Sequence, residues 1–265
     1  LYRESDVFAR QGVDIDRSTL AFWVGKAAYE LRPLHDALLA HLKTSSKLFM
    51  DETPAPVLDP GRGKVKKGYF WALARDDRGW NGQEPPGVAF TYAPGRSGTY
   101  ASEILQGFEG ILQVDGYAEY NRVLDLRDNA PTQLAHCWAH ARRKLFDLTH
   151  HNVAPIAEEG LKQIAALYRI EKQARGTSAE DRLALRKAKI ATLKIWLDYT
   201  RTQVPAKSPT GEALKYIAKY WSGLILFLTD GRIEMDSNAV ERTIRPIALQ
   251  RKNALLAGHD AGAQK

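Results

Sequence analysis

Between residues 47 and 115 the apolar residues gather in short runs bounded by proline and glycine, while on either side they recur at helical spacing. Such a change of period excludes an all-helical bundle and an all-strand sandwich, and it points to a sheet flanked by helices. Leu48–Thr53 is the first run, with an acid inside it, and Pro54, Pro56 and Pro60 with Gly61 and Gly63 are expected to terminate it. Lys67–Arg75 is the second, closed by Asp76-Asp77-Arg78-Gly79. Gly87–Tyr92 is the third, followed by a turn over Pro94–Gly98. A helix over Tyr100–Phe108 then leads into a fourth strand, Ile111–Asp115.

The flanks read as helix. Residues 1–31 suggest two short helices around a break at Ala9–Val13, with cap-type residues at Asp16, Ser18 and Thr19 and apolar Leu20, Trp23, Val24, Ala27 and Leu31 behind them. This pattern fits a helix-turn-helix offering Arg17, Ser18 and Thr19 to DNA, and it fits a plain helical hairpin equally. Pro33 is expected to interrupt, with a connecting helix over 32–46. From about 133 the spacing is helical to the end. Ser178-x-x-Asp181 forms a capping box, and Leu214, Ile217, Trp221, Leu224 and Leu228 form a long stripe stopped by Asp230-Gly231.

Strand, helix and strand in this order, three strands before the helix and one after, predict the opening of an RNase H-like mixed α/β sheet. In that arrangement three acids attract notice. Asp115 closes the fourth strand before Gly116, Asp51 lies inside the first, and Glu241 stands in a late helical segment. Carboxylates on neighbouring strands can converge on hard divalent cations, and a crossing helix can add another. Each has an ordinary alternative: an Asp-Gly turn, an edge-strand acid facing water, and an i,i+4 ion pair of Glu241 with Arg245. Glu52 should point away from Asp51 by alternation.

Charge gives a second thread. Lysine and arginine number 38 against 31 acids, a net +7, which suits a polyanionic partner without proving one. Basic residues cluster at Arg62, Lys64, Lys66 and Lys67, at Arg142, Arg143 and Lys144, at Arg182, Arg186, Lys187 and Lys189, and at Arg242, Arg245, Arg251 and Lys252. Beside candidate metal ligands such clusters suggest phosphate contact. Cys137-Trp138-Ala139-His140 has the spacing of half a zinc site. With one cysteine in the chain and no histidine pair at finger spacing, structural zinc is not expected there. His140 better suits a helix edge that meets phosphate or steadies a nearby site. The lone cysteine fits a reducing compartment, no run reaches the roughly 18 apolar residues of a membrane span, and a cytoplasmic location is expected. The chain opens on Leu1, so it reads as a fragment or processed piece.

Four blocks together carry a resemblance: Asp51-Glu52-Thr53-Pro54, Gln113-Val114-Asp115-Gly116-Tyr117, Cys137-Trp138-Ala139-His140-Ala141-Arg142-Arg143-Lys144, and Asn238-Ala239-Val240-Glu241-Arg242-Thr243-Ile244-Arg245-Pro246. Arg251-Lys252-Asn253 and Ala257-Gly258 extend the last. In these blocks, taken in family order over nearly the whole chain, the sequence resembles bacterial transposases of the insertion-sequence-sixty-six family. The resemblance implies a catalytic domain over 47–265, RNase H-like, interrupted by a helical insertion at about 150–230 and preceded by the helical segment 1–31. It implies that Asp51, Asp115 and Glu241 hold magnesium or manganese, two ions in all. It further implies cleavage at transposon ends, strand transfer to target DNA, and assembly as at least a homodimer. The family's longer N-terminal part and C-terminal extension are missing from these residues, so the chain reads as a core. His140, Arg142, Arg143, Lys144, Arg242, Arg245, Arg251, Lys252, Lys66, Lys67 and Arg17 are the expected DNA contacts. A nuclease that cuts without joining, and a non-catalytic DNA-binding remnant, are the alternatives to test.

Overall fold

A computed structural model describes residues 1–59, 61–116, 120, 132–150, 154–186, 190–254 and 257–264, without the side chains of residues 191 and 250–254. Two helices come first, α1 (Tyr2–Arg10) and α2 (Arg17–Lys43). Strands β1 (Lys47–Asp59), β2 (Lys64–Arg75) and β3 (Gly87–Ala93) follow, then α3 (Gly98–Ile104), β4 (Ile111–Val114) and β5 (Gln133–His136). Helices α4 (Trp138–Thr149), α5 (Pro155–Ala174), α6 (Ala179–Arg186), α7 (Ile190–Gln203), α8 (Pro209–Lys219) and α9 (Trp221–Leu224) form a helical body, before α10 (Asn238–Ala254) and the short α11 (Asp260–Ala263) return to the sheet.

The sheet order is β3-β2-β1-β4-β5. The first three strands are antiparallel neighbours, while β1, β4 and β5 run parallel. This is the RNase H-like α/β arrangement. Alternation divides the two faces. Leu48, Met50, Leu112 and Val114 join Leu42, Ala101, Ile104, Leu105 and Phe108 in one core. On the other face Phe49, Ala72 and Ala74 pack against Val240 and Ile244 of α10. Ile111 and Ala135 belong to a third cluster with the helical body, among Trp138, Leu145, Ile164, Leu197, Leu214 and Ile217.

Several sequence expectations need correction. Pro54 and Pro56 do not end β1, which continues to Asp59 with both prolines paired opposite β2. They share parity with Leu58, whose N–H points away from β2 to the carbonyl of Ala257, so their missing donors fall on the side that β4 has already vacated. Pro33 does not divide residues 1–31 from 32–46, because α2 passes through it without a break. Tyr29, whose carbonyl loses its helical partner, is exposed, and water can take that bond. Pro246 lies inside α10 in the same way. The stripe Leu214 to Leu228 is not one helix but α8, α9 and a 3-10 turn over Leu226–Leu228. The strand β5 falls where the spacing predicts only helix. With four residues and three of them buried, it is too short to show a period. The capping box at Ser178 forms as expected, the N–H of Asp181 donating to Ser178 Oγ at 3.2 Å.

Candidate active site

The parallel pairing of β1 and β4 matches Lys47 with Ile111, Leu48 with Leu112 and Phe49 with Gln113. The same offset separates Asp51 from Asp115, two residues beyond the last pair, and the Asp115 charge reaches Asp51. Asp51 lies on the face toward α10, since it opposes Ala72 on β2 and Ala72 packs with Val240 and Ile244. Glu241 follows Val240 directly on that helix.

Electrostatics agrees with this placement. Burial raises the pKa of Asp51 to about 7, and the charges of Glu52, Asp115 and Glu241 push the same way. The backbone N–H of Glu52 donates to Asp51 Oδ1 at 2.8 Å and opposes the rise. Glu52 itself faces the opposite side, as alternation predicts. There its carboxylate is buried, accepts from Tyr120 Oη at 2.5 Å and pairs with Arg96. Burial raises its pKa and these partners counter it. The two neighbouring acids thus differ in kind: Glu52 has structural partners, while Asp51 is held among other carboxylates.

The third acid is positioned by a buried amide. Gln113, on β4, donates from Nε2 to the carbonyl of Glu234 and accepts on Oε1 from the N–H of Glu234, both at 2.9 Å. The N–H of Trp138 donates to Met235 at 2.8 Å, and the N–H of Ser237 donates to Cys137 Sγ at 3.3 Å. The segment ahead of α10 is therefore clamped to β4 and to the start of α4. The N–H of Asn238 donates to Asp236 Oδ1 at 3.1 Å as the helix begins. Asp236 has a raised pKa through burial first, with Glu234 and Glu241 adding to it. Ser237 Oγ approaches Glu241 Oε1 at 3.3 Å, and among the described residues no ion pair joins Glu241 to Arg245.

Glu241 also has company that the sequence did not announce. Among the described residues, the group whose possible ligand atoms all lie within 4.8 Å of one another is Cys137, His140 and Glu241. Asp51, Asp115 and Glu241 are not drawn together that tightly. The charges of Asp115 and Glu241 both reach Asp51.

Gly116 marks a close approach. A Cβ there would lie 1.7 Å from Tyr216 Oη, so the ring of α8 sits directly over the turn after Asp115. Burial raises the Tyr216 pKa, with Asp115 next in effect. Lys144 Nζ stands 5.6 Å from the centre of that ring. Sequence reasoning misses Gln113, Tyr216, Arg96 and Tyr120. Only Gln113 leaves a signal, a polar residue at the buried parity of a strand that ends in Asp115.

The basic residues divide. Arg142, Arg143 and Lys144 are exposed along α4, and Arg242 and Arg245 along α10. Arg17 is exposed over the ring of Tyr2, Lys67 is exposed, and Lys66 pairs with Asp260. The side chains of Arg251 and Lys252, and all of Tyr117, Lys187 and Lys189, lie outside the described residues. Arg182 and Arg186 correct the third basic cluster. Each is 1% exposed and paired with Glu171, and Arg182 also meets Glu234. They hold the helical body together and have no face for phosphate.

The sequence model of the family described as "Transposase IS66 family" matches residues 1–265. The uncharacterized protein y4qI of Sinorhizobium fredii (strain NBRC 101917 / NGR234) is 42% identical over 273 residues, covering 100% of this chain and 50% of its own length. The uncharacterized protein y4jD of the same organism is 41% identical over 271 residues, covering 100% of this chain and 53% of its own. The chain spans about half the length of the curated relatives it matches. No described helix is long and apolar enough to cross a membrane.

Proposed function

The chain belongs to the IS66 transposase family, and from that premise we propose that Asp51, Asp115 and Glu241 are the carboxylates of a magnesium- or manganese-dependent site that cuts and joins DNA. The observation that carries this reading is Asp51, two residues beyond the β1–β4 pairing, whose pKa is raised by burial first and further by the charges of Glu52, Asp115 and Glu241. A half-buried carboxylate pressed toward its neutral form by burial and by neighbouring acids fits a hard divalent cation, which prefers oxygen ligands. When bound, two such ions would supply activation of an attacking oxygen and stabilisation of a leaving one.

The chain's own residues would do the rest. Asp51, inside β1, and Asp115, just past the end of β4, would offer their oxygens to the ions, and Glu241 would complete the set from α10. Arg142, Arg143 and Lys144 on α4, with Arg242 and Arg245 on α10, lie along elements that carry His140 and Glu241, and would hold the DNA backbone. Arg17, Lys66, Lys67, Arg251 and Lys252 are further candidates for such contacts. In the first step water attacks phosphorus, the bond to the 3′-oxygen breaks, and a 3′-hydroxyl and a 5′-phosphate are released. In the second that hydroxyl attacks a target phosphodiester, forming one P–O bond as another breaks. Pairing two DNA ends calls for at least a homodimer.

The test is cleavage of labelled duplex carrying the element's ends, with Mg2+ and without. Asp115→Asn is expected to abolish cleavage while DNA binding by mobility shift persists. Cleavage that survives Asp115→Asn would sink the assignment. Precut ends incubated with a plasmid separate the alternatives: joined product marks a transposase, cutting alone marks a nuclease, and binding alone marks a remnant.

A further inference from the structure

Cys137, His140 and Glu241 offer a sulfur, a ring nitrogen and a carboxylate oxygen within 4.8 Å of one another. The carboxylate site uses only the last of these. Cys137 sits at the N-terminal cap of α4, where its Sγ accepts from the N–H of Ser237 at 3.3 Å. N–H dipoles at a helix start favour a thiolate. Burial acts against them and holds the free thiol up at about 11, so it stays protonated and unreactive at neutral pH. A cation of high sulfur affinity changes that balance, because it displaces the proton.

His140 adds an independent sign. Its Nδ1 is shielded from water and has no hydrogen-bond partner among the described residues. Such a nitrogen is costly unless something completes it. Glu241 is the exposed member of the three, so an ion could reach the cluster from solvent. Sulfur, nitrogen and oxygen together suit zinc-class ions and are the wrong donors for magnesium.

We propose that Cys137, His140 and Glu241 form a second cation site, selective for thiophilic divalent ions of the zinc class, whose filling withdraws Glu241 from the magnesium site. The withdrawal rests on the function proposed above; the cation site itself does not. On binding, the Sγ–H proton passes to solvent as the sulfur–metal bond forms, with no change of oxidation state. The zinc-class ion would then act as a brake on DNA cleavage.

Cobalt(II) is the probe, titrated into the metal-free protein while the absorption spectrum is recorded. One equivalent should produce a thiolate-to-cobalt charge-transfer band, which Zn2+ then bleaches by displacement. Because Cys137 is the one cysteine of the chain, that band identifies it even if Cys137→Ser fails to fold. His140→Gln, checked for folding by circular dichroism, should weaken cobalt binding by about tenfold or more. In the cleavage assay a small excess of Zn2+ over protein should inhibit the parent and leave Cys137→Ser active with Mg2+. A folded parent with no thiolate band overturns the site, and so does equal zinc inhibition in parent and Cys137→Ser. Asp51→Asn separates the two readings, since it should keep the cobalt band while losing cleavage. A protein that shows the band but never cleaves DNA retains the cation site and loses the proposed function.

Discussion

At Asp51, burial and three neighbouring carboxylates all favour the neutral acid, against a single backbone N–H that favours the anion. The folded pKa of about 7 stands above the ordinary 3.8, so between those values the unfolded chain has lost a proton that the folded protein keeps. Stability from this position is therefore intact below the ordinary value and is lost as pH rises toward 7. In metal-free protein, Asp51→Asn should melt with the parent near pH 4 and above it at pH 8, by on the order of 2–4 kcal/mol. A melting difference that does not change with pH would refute this origin of the shift. Mg2+ added at pH 8 should raise the parent's melting temperature and leave that of Asp51→Asn nearly unmoved. Glu52 gives the contrast, since its charge is shared with Arg96 and Tyr120. Tyr120→Phe removes one of these partners, and a cost of about 1–3 kcal/mol is expected in thermal melts.

Among the elements, the short parallel pairing of β1 with β4 and the clamp on the segment before α10 decide where the acids stand. Gln113→Leu keeps the volume of the side chain roughly but leaves the N–H and carbonyl of Glu234 without their partner. A loss of about 2–4 kcal/mol is expected, with cleavage falling further than stability explains because α10 loses its register. Equal activity per folded molecule in parent and variant would show that the amide does not position Glu241. Much of this level was legible in the sequence. The four strand segments and the helix before the fourth come from runs that local propensity already favours. The prolines mislead because whether a missing N–H matters depends on which side of β1 it faces, and that depends on where β4 ends. The strand β5 is hidden because parallel pairing, rather than its own four residues, makes it a strand. The acids Asp51 and Asp115 could be chosen from strand position, but Glu241 could not be separated from an ordinary helical ion pair without family resemblance.

Across the whole molecule, charge serves two ends that a count of basic residues merges. Arg182 and Arg186 recur at i,i+4 on α6, as surface cations often do, yet that face turns inward to Glu171, Glu234 and the carbonyls of Phe227 and Ile233. Their partners come from distant segments, so the sequence could not show that the pair is buried. Arg186→Ala leaves Glu171 with Arg182 alone and takes the donor from the carbonyls of Phe227 and Ile233, and a cost of about 3–5 kcal/mol is expected by denaturant melting. The exposed cluster on α4 should behave differently. Replacing Arg142, Arg143 and Lys144 with alanine should leave the melting temperature within a degree or two. It should also flatten the salt dependence of DNA binding, by up to about 0.9 in slope for each phosphate that is no longer neutralised. An unchanged slope would place the DNA elsewhere.

The Gln113 clamp has a consequence for the nascent protein. Its partner Glu234 is made long after β4, so for much of synthesis the sheet carries a buried-parity amide with nothing to bond. Asp51 and Asp115 can meet as soon as β1 and β4 pair, whereas Glu241 enters only with α10, after the whole helical body has left the ribosome. A chain still being translated through that body would thus hold two of its three acids and lack the helix that completes them. On the proposed function, DNA cleavage would stay off until translation has passed α10.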